Sequence, residues 1–298
     1  MTRGPTHRSR TCAVAIATLI VAVALAGCGG AVTSVPAVKP VAIFPAPAGM
    51  LAGGAPQPSG AMWVLAGPAS SRAAYEMNLL NGQLVNHFPV SSNAQTVAQL
   101  PDGPVLIGIS TATSGAIQVF NSQTLQMTAT WPLPGPILQL RAGQGGAYAL
   151  VQVGRTESIE QFSATGTLLR TLPVPSDTVA ITADPVNAKA YVLEANGVVS
   201  TVNAAGQTTT VYKVSASGRD IVSDPTTKQL FILKGITALS NISVVSIQTQ
   251  STIGVLPAPA NCVGIQISSD GSQLYALVGS PNIGNVQVFT LPRVTGLG

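Results

Sequence analysis

The segment ISSDGSQLYALVGSPNIGNVQVFTL, residues 267–291, shows the basic pattern of the chain. An Asp270-Gly271 turn precedes the apolar run LYALVG, and the run NVQVF (285–289) then alternates polar and apolar side chains. Alternation with a period of two is typical of a β-strand, whose successive side chains point to opposite faces. The segment therefore predicts two consecutive β-strands.

The apolar run occurs six times at nearly constant spacing. Its other copies are AMWVLAG at 61, PVLIGIS at 104, AYALVQV at 147, AYVLEA at 190 and LFILKG at 230. The copies align on Trp63, Leu106, Tyr148, Tyr191, Phe231 and Tyr275, which are 43, 42, 43, 40 and 44 residues apart. An alternating strand follows each copy. A third strand comes next, which runs into proline at Pro89, Pro134, Pro173 and Pro257, and then a fourth strand such as VAITA (179–183); after the last copy only the alternating strand remains. Proline fits a strand end because it donates no backbone hydrogen bond.

Four strands within this spacing are typical of one blade of a β-propeller. Two further segments align without gaps, PVAIFPAPAGMLAGGAPQPSGAMWVLAG (40–67) and TIGVLPAPANCVGIQISSDGSQLYALVG (252–279). Because the C-terminal strands leave the last blade incomplete, residues 41–60 are predicted to supply its third and fourth strands, paired with strands between 273 and 290. This closure leaves no free sheet edge. The predicted fold is all-β, a six-bladed β-propeller of four-stranded blades, with seven blades as the alternative.

Two stretches resemble repeats of the YVTN and NHL β-propeller families, TADPVNAKAYVLEANGVVSTVNAAG (182–206) and the opening segment. Those families pair an Asp-Pro or Asp-Gly turn with a strand of the K-x-Y-V type and then a V-S-V-I-D or I-x-V-F-D strand. The resemblance is clear at the level of individual amino acids over residues 147–212 and 261–290. Asn121, Ser163, Asn203 and Thr290 stand where these families usually carry an aspartate. The resemblance implies a propeller domain over residues 41–298.

The N-terminus has the features of an export signal. Three arginines and no acid occur in the first ten residues, and 17 uncharged residues follow from Thr11 to Gly27. That run is short for a membrane span but suits a signal peptide. It ends in Leu25-Ala26-Gly27-Cys28, which resembles the lipobox of bacterial lipoproteins. The resemblance implies a signal peptide over 1–27, a diacylglycerol on the thiol of Cys28, and a tether over 28–40. The alternatives are an ordinary secretory signal or a retained helix with a chance cysteine.

The expected location is the extracytoplasmic face of the cell membrane, reached through the lipid. At least two acyl chains, such as palmitate, give stable anchoring without a membrane span. The abundance of Ala, Gly, Pro and Val is typical of a high-GC actinobacterium. The net charge is +4, but removing Arg3, Arg8 and Arg10 leaves 11 Lys and Arg against 10 Asp and Glu. This balance excludes a basic nucleic-acid-binding surface. A monomer is expected.

Few residues are available for chemistry in the mature chain. Cys12 leaves with the signal and Cys28 carries the lipid, so Cys262 has no disulfide partner. The apolar run NCVGIQI predicts that Cys262 is buried and inert. His87 is the single histidine after cleavage and is expected to be a solvated edge residue. One histidine and one thiol cannot form a zinc or copper site, and no cofactor is predicted.

Two functional hypotheses remain. The first is a non-catalytic propeller that presents its loops to an envelope protein, a glycan or a small ligand. The second is a propeller hydrolase or lactonase with an oxygen-ligated metal in the central channel, which would require carboxylates to converge there. The candidates for that cluster are Glu157, Glu194, Asp177 and Asp220, whereas Asp184, Asp224 and Asp270 occupy turn positions. The scarcity of clustered titratable groups favours binding.

One ion pair is predicted between adjacent blades. Glu194 and Lys234 both lie three residues after the aromatic position of their repeats, in otherwise apolar strands. Equivalent positions in neighbouring blades should face each other near the channel, where a paired charge is easier to bury than a single one. The alternative is that each side chain reaches water separately.

Overall fold

The computed structural model describes residues 39–291 except 102, 144, 184–188, 216, 225 and 236–239. The predicted signal peptide, Cys28 and the tether up to residue 38 lie outside the described residues. Within the described part, the chain forms six four-stranded antiparallel sheets and one short 3₁₀ helix, Ala69–Ser71. No helix in this part is long and apolar enough to cross a membrane. The six sheets confirm the predicted all-β, six-bladed β-propeller.

The first strand, β1 (Ala42–Pro45), lies apart from its sequence neighbours, and blades I to III follow it. Blade I contains β2 (Ala52–Gly53), β3 (Ala61–Ala66), β4 (Ala73–Asn78) and β5 (Leu84–Pro89). Blade II contains β6 (Ala94–Gln99), β7 (Val105–Ser110), β8 (Gly115–Phe120) and β9 (Met127–Leu133). Blade III contains β10 (Ile137–Gly143), β11 (Gly146–Val153), β12 (Thr156–Ser163) and β13 (Leu168–Pro173).

Blades IV to VI complete the ring. Blade IV contains β14 (Thr178–Ala183), β15 (Ala190–Glu194), β16 (Val198–Val202) and β17 (Thr208–Lys213). Blade V contains β18 (Gly218–Asp224), β19 (Gln229–Lys234), β20 (Asn241–Ser246) and β21 (Ser251–Pro257). Blade VI contains β22 (Cys262–Ile267), β23 (Gln273–Ser280), β24 (Ile283–Thr290) and the N-terminal strand β1.

Within each blade, the strands nearer the central channel are more buried than the outermost strand. The second strands, such as β3 (AMWVLA) and β19 (QLFILK), are buried on both faces because they lie between two neighbouring blades. A strand covered on both faces reads as a continuous apolar run rather than an alternating one. The fourth strands, such as β5 (LVNHFP), are mostly exposed. The repeated apolar runs therefore mark the second strand of each blade.

The core is divided into six apolar clusters, one at each interface between neighbouring blades. The interface of blades I and II illustrates the packing. Its aromatic rings form a chain in which Trp63 lies 5.3 Å from Phe88, and Phe88 lies 4.4 Å from Phe120, between ring centroids. Since each cluster draws on two blades, no blade has a complete core of its own.

The closure of the ring confirms one part of the prediction for residues 41–60 and corrects another. β1 pairs with β24, from Ala42 opposite Val288 to Pro45 opposite Asn285, so the N-terminal strand does complete the last blade. β2 instead pairs with β3 and belongs to blade I. The repeat therefore begins one strand earlier than predicted, and the C-terminus supplies three strands of blade VI. The reason is that the Asp-Gly turn joins β22 and β23 as a hairpin within one blade.

Candidate functional site

The central channel is lined by the innermost strands of all six blades, β2, β6, β10, β14, β18 and β22. It encloses about 150 Å³, which is smaller than the usual site for a small organic molecule. Its polar side chains are Gln95, Thr96, Gln139, Arg141, Arg219, Asp220 and Gln266. Asp220 is the single acid among the described lining residues, and two arginines accompany it.

Asp220 is buried and accepts hydrogen bonds from four donors. Its Oδ1 atom accepts from Arg141 Nη2 at 2.5 Å, from Gln139 Nε2 at 2.8 Å and from the backbone N of Ile221 at 2.9 Å. Its Oδ2 atom accepts from the backbone N of Ile265 at 2.9 Å. These donors come from blades III, V and VI. A carboxylate so fully occupied links blades and is not free to act as a general base.

Gln139 and Arg141 extend this link to blade IV. Gln139 Oε1 accepts the backbone N–H of Ile181 at 2.6 Å, and Arg141 Nε donates to the carbonyl of Ile181 at 3.3 Å. We call Gln139, Arg141 and Asp220 the Asp220 cluster. Asp220 is one of the four carboxylates predicted for the channel, but its two partners are not predicted. Arg141 could have been identified from the sequence, because it is the single charged residue in the strand ILQLRAG.

A second contact joins blades VI and I, where the ring closes. Gln266 Nε2 donates to the carbonyl of Gly53 at 2.6 Å. A Cβ atom at Gly53 would lie 2.8 Å from Leu277 Cδ1, so the two blades approach closely here and a larger residue would displace the Leu277 side chain. This contact and the Asp220 cluster therefore both hold blades together.

The other predicted carboxylates do not gather around Asp220. Glu194 accepts from Asn196 Nδ2 at 3.2 Å, Asp177 lies in an exposed turn, and Glu157 is buried in β12, the third strand of blade III. Among the described residues, no three His, Cys, Asp or Glu side chains are placed to hold a metal ion together. The geometry of this part of the chain thus lacks the carboxylate cluster that the hydrolase hypothesis requires.

The turn aspartates have local partners that match their predicted role. Asp224 Oδ1 accepts from the backbone N of Thr226 at 2.7 Å. Asp270 accepts from Ser268 Oγ at 2.6 Å and the backbone N of Ser272 at 3.0 Å, and these bonds lower the pKa of its carboxyl group to about 2. Asp184 lies outside the described residues.

The predicted ion pair between Glu194 and Lys234 is wrong. Lys234 Nζ donates to Ser215 Oγ at 3.2 Å, and Glu194 bonds to Asn196. In the part of the chain that the structure describes, the one salt bridge joins Arg141 and Asp220. The physical reason is the offset of neighbouring blades, because β15 packs against β18, the innermost strand of the next blade. Burial lowers the pKa of the Lys234 ammonium group.

Cys262 and His87 occupy the environments predicted for them. Cys262 is fully buried, and burial raises the pKa of its thiol to about 12. The thiol is therefore protonated and shielded at neutral pH, as expected for an inert cysteine. His87 is exposed on β5, and its ring stacks on Tyr75 with the centroids 5.7 Å apart. It has no carboxylate partner among the described residues that could orient it for catalysis.

A groove with a volume of about 550 Å³ lies between the outer strands of blades II and III. Trp131, which is largely buried and stacks on Phe162, lies at its base. The polar lining consists of the side chains of Asn121, Ser122, Gln123, Thr128 and Thr165. The described lining contains no charged side chain, so the groove suits a neutral ligand with hydroxyl groups.

A second groove of about 610 Å³ lies along β12 and β13 of blade III. Its lining combines apolar residues, including Val153 and Leu168, with Glu157 and Glu160. Glu160 is satisfied, because it accepts from Ser158 Oγ at 3.0 Å and from Thr171 Oγ1 at 2.6 Å. These hydroxyl donors account for a buried carboxylate without an arginine or lysine partner.

Comparisons with known proteins support the fold. No protein-family model matches the chain, and no curated protein matches it. Among solved structures, the chain is similar to the hydrazine synthase of Kuenenia stuttgartiensis, with a TM-score of 0.63 and 12% sequence identity. The match covers 81% of this chain and 83% of that chain. At this level of identity the similarity concerns the propeller fold alone, since one fold hosts many functions.

Proposed function

We propose that the protein is a lipid-anchored binding module on the extracytoplasmic face of the cell membrane. In this proposal the signal peptide ends at Gly27, Cys28 carries the lipid, and the propeller binds an envelope component. The lipobox resemblance of Leu25 to Cys28 supports the anchor. The Asp220 cluster supports binding over hydrolysis, because the acid of the channel is engaged by four hydrogen-bond donors.

The groove between blades II and III is the surface that we assign to the ligand. Its volume is within the range of small-ligand sites, and its uncharged amide and hydroxyl side chains match the chemistry of a neutral glycan. Gln123 is the clearest contact residue, because its side chain is exposed and makes no hydrogen bond within the described structure. Its donor and acceptor groups are therefore available to a ligand.

Replacing the lipidation residue tests the anchor. Cys28→Ala should move the protein from the membrane fraction to the soluble fraction, or leave it unprocessed, because no acyl chain can then be attached. Fractionation of cells with detection of the propeller measures the first result, and intact-mass analysis measures the lipid. A wild-type chain with no added mass at Cys28 would refute the anchor and leave the propeller unaffected.

Replacing Gln123 tests the groove. Gln123→Ala should weaken binding to isolated cell-wall polysaccharide by roughly two- to tenfold, the effect of losing one hydrogen bond. Co-sedimentation with the polysaccharide measures the change. Gln248→Ala is a matched control, because Gln248 lies in the corresponding turn of blade V, where Gln250 repeats the positive φ of Leu125. Equal sedimentation of the Gln123→Ala variant and the wild type, or no sedimentation of either, would exclude a glycan site in this groove.

A further inference from the structure

The outer rim of the propeller is unevenly apolar. Five of the exposed aliphatic side chains lie on the outer strands of blades VI and I and in the β4–β5 turn, namely Val41, Ile43, Leu80, Leu84 and Val85. Leu80 is 83% exposed and Ile43 is 58% exposed, so they contribute little to the core of the propeller. We call these five residues the aliphatic rim. Clustered exposed aliphatic residues indicate an interaction surface more often than single ones do.

The two parts of the aliphatic rim are held together. The β4–β5 turn packs on β1, because Gly82 lies against the ring of Phe44, where an added Cβ atom would be only 2.5 Å from the ring. Gly82 also has a positive φ of 73°, so glycine is favoured there twice over. The turn that carries Leu80 is thus fixed beside the strand that carries Val41 and Ile43.

The opposite side of the ring has a different surface. Blade IV lies opposite blade I in the order of six blades, and its outer strand β17 exposes a run of threonines, Thr208 to Thr210, together with Lys213. Blade III carries a separate set of exposed aliphatic residues, Leu138, Val153, Leu168 and Leu169. The aliphatic rim at blades VI and I is therefore apolar, whereas the outer strand of blade IV is polar.

The aliphatic rim also lies where the chain enters the propeller. Val41 is two residues after Lys39, at which the described chain begins. Cys28 and Lys39 are 11 residues apart, and this segment spans at most about 40 Å when fully extended. A lipid on Cys28 would therefore hold this side of the propeller within about 40 Å of the bilayer, where even a weak apolar contact is effective because the contact is intramolecular.

We propose that the aliphatic rim rests on the lipid bilayer that holds Cys28, so that blade IV faces away from the membrane. This proposal rests on the lipid anchor of the proposed function. The rim presents aliphatic side chains of the kind that enter the interfacial region of a bilayer, and the tether joins the propeller on this same side.

Tryptophan reporters in vesicles test this orientation. The mature chain from Cys28 is coupled through that thiol to a maleimide lipid in phosphatidylcholine vesicles, and Cys262 does not compete because it is buried. Leu80→Trp places a reporter in the rim, and Thr209→Trp places a matched reporter on blade IV. When the vesicles contain brominated phosphatidylcholine, the emission of the Leu80→Trp reporter should be quenched and that of the Thr209→Trp reporter should be unchanged. Trp63 and Trp131 are buried in both variants and add a constant background.

A further variant with two substitutions checks that the aliphatic side chains cause the contact. Adding Ile43→Ser and Val85→Ser to the Leu80→Trp variant should abolish the quenching, since both side chains lose their apolar surface. Equal quenching of the two reporters, or no quenching of the Leu80→Trp reporter, would overturn the orientation. Because the coupling is chemical, this failure is distinct from a failure of Cys28 to be lipidated in cells.

Discussion

Replacing Asp220 with alanine should lower the free energy of unfolding by about 3–5 kcal/mol, the usual effect of removing one partner of a buried ion pair. The side chains of Arg141 and Asp220 are 11% and 6% exposed, so water does not replace the lost partner. The substitution also leaves the amide of Gln139 and the backbone N of Ile265 without their acceptor. Urea unfolding followed by tryptophan fluorescence measures the change.

Two further variants distinguish the loss of the buried ion pair from the effect of a change in net charge. Arg155→Ala also changes the net charge by one, but Arg155 lies in the exposed β11–β12 turn, so its effect should stay within about 0.5 kcal/mol. Adding Arg141→Met to Asp220→Ala should recover part of the loss, because the unpaired buried cation is removed. If Asp220→Ala unfolds at the same urea concentration as the wild type, the Asp220 cluster does not hold the blades together.

Deleting residues 41–45 should be at least as damaging. β1 supplies the fourth strand of blade VI, and Ala42 and Phe44 pack against the cluster that contains Met77 and Val286. Removing them exposes the edge of β24 and part of that cluster, so we expect a loss of at least about 3 kcal/mol and a tendency to aggregate. Thermal unfolding and light scattering measure these effects.

A peptide supplied in trans provides the control for this deletion. The peptide of residues 39–46 should raise the Tm of the deleted protein in a concentration-dependent way, because it binds the folded state at the vacant edge. The same peptide with Phe44→Asp should not, because a carboxylate cannot enter the apolar cluster. A deleted protein that melts like its parent would show that β1 does not stabilise the ring.

The sequence predicts the architecture well because the repeated sequence pattern reflects a burial pattern that is repeated in every blade. The second strands are buried on both faces, so their apolar runs are long and recur in every blade. The gapless alignment of 40–67 with 252–279 is matched in the structure, where β1 corresponds to β21 and β2 to β22. The blade boundary is harder to predict. The innermost strand of each blade is flanked by a turn on either side, and the sequence does not show which turn closes a hairpin. In the structure the turn between β2 and β3 does so, which places β2 in blade I.

The channel is less predictable from the sequence, because its contacts join strands that are far apart in the chain. Gln139 and Asp220 are 81 residues apart, and no local pattern connects them. The expected pairing of Glu194 with Lys234 assumed that equivalent strands face each other. In the structure the blades are offset, so a residue of one repeat meets a non-equivalent position of the next.

The pairing of β1 with β24 has a consequence for the order of folding. Among the strands that the structure describes, β1 is synthesised first and its partner, β24 (Ile283–Thr290), is synthesised last. At about 5–20 residues per second, the first strand waits on the order of ten seconds or more before its partner exists. The contact between Gly53 and Gln266, 213 residues apart, also has to wait until most of the chain has been made. Ring closure thus has a very high contact order, and such non-local pairing is slow. An incomplete chain therefore carries an open β-edge until its final strand is available to pair.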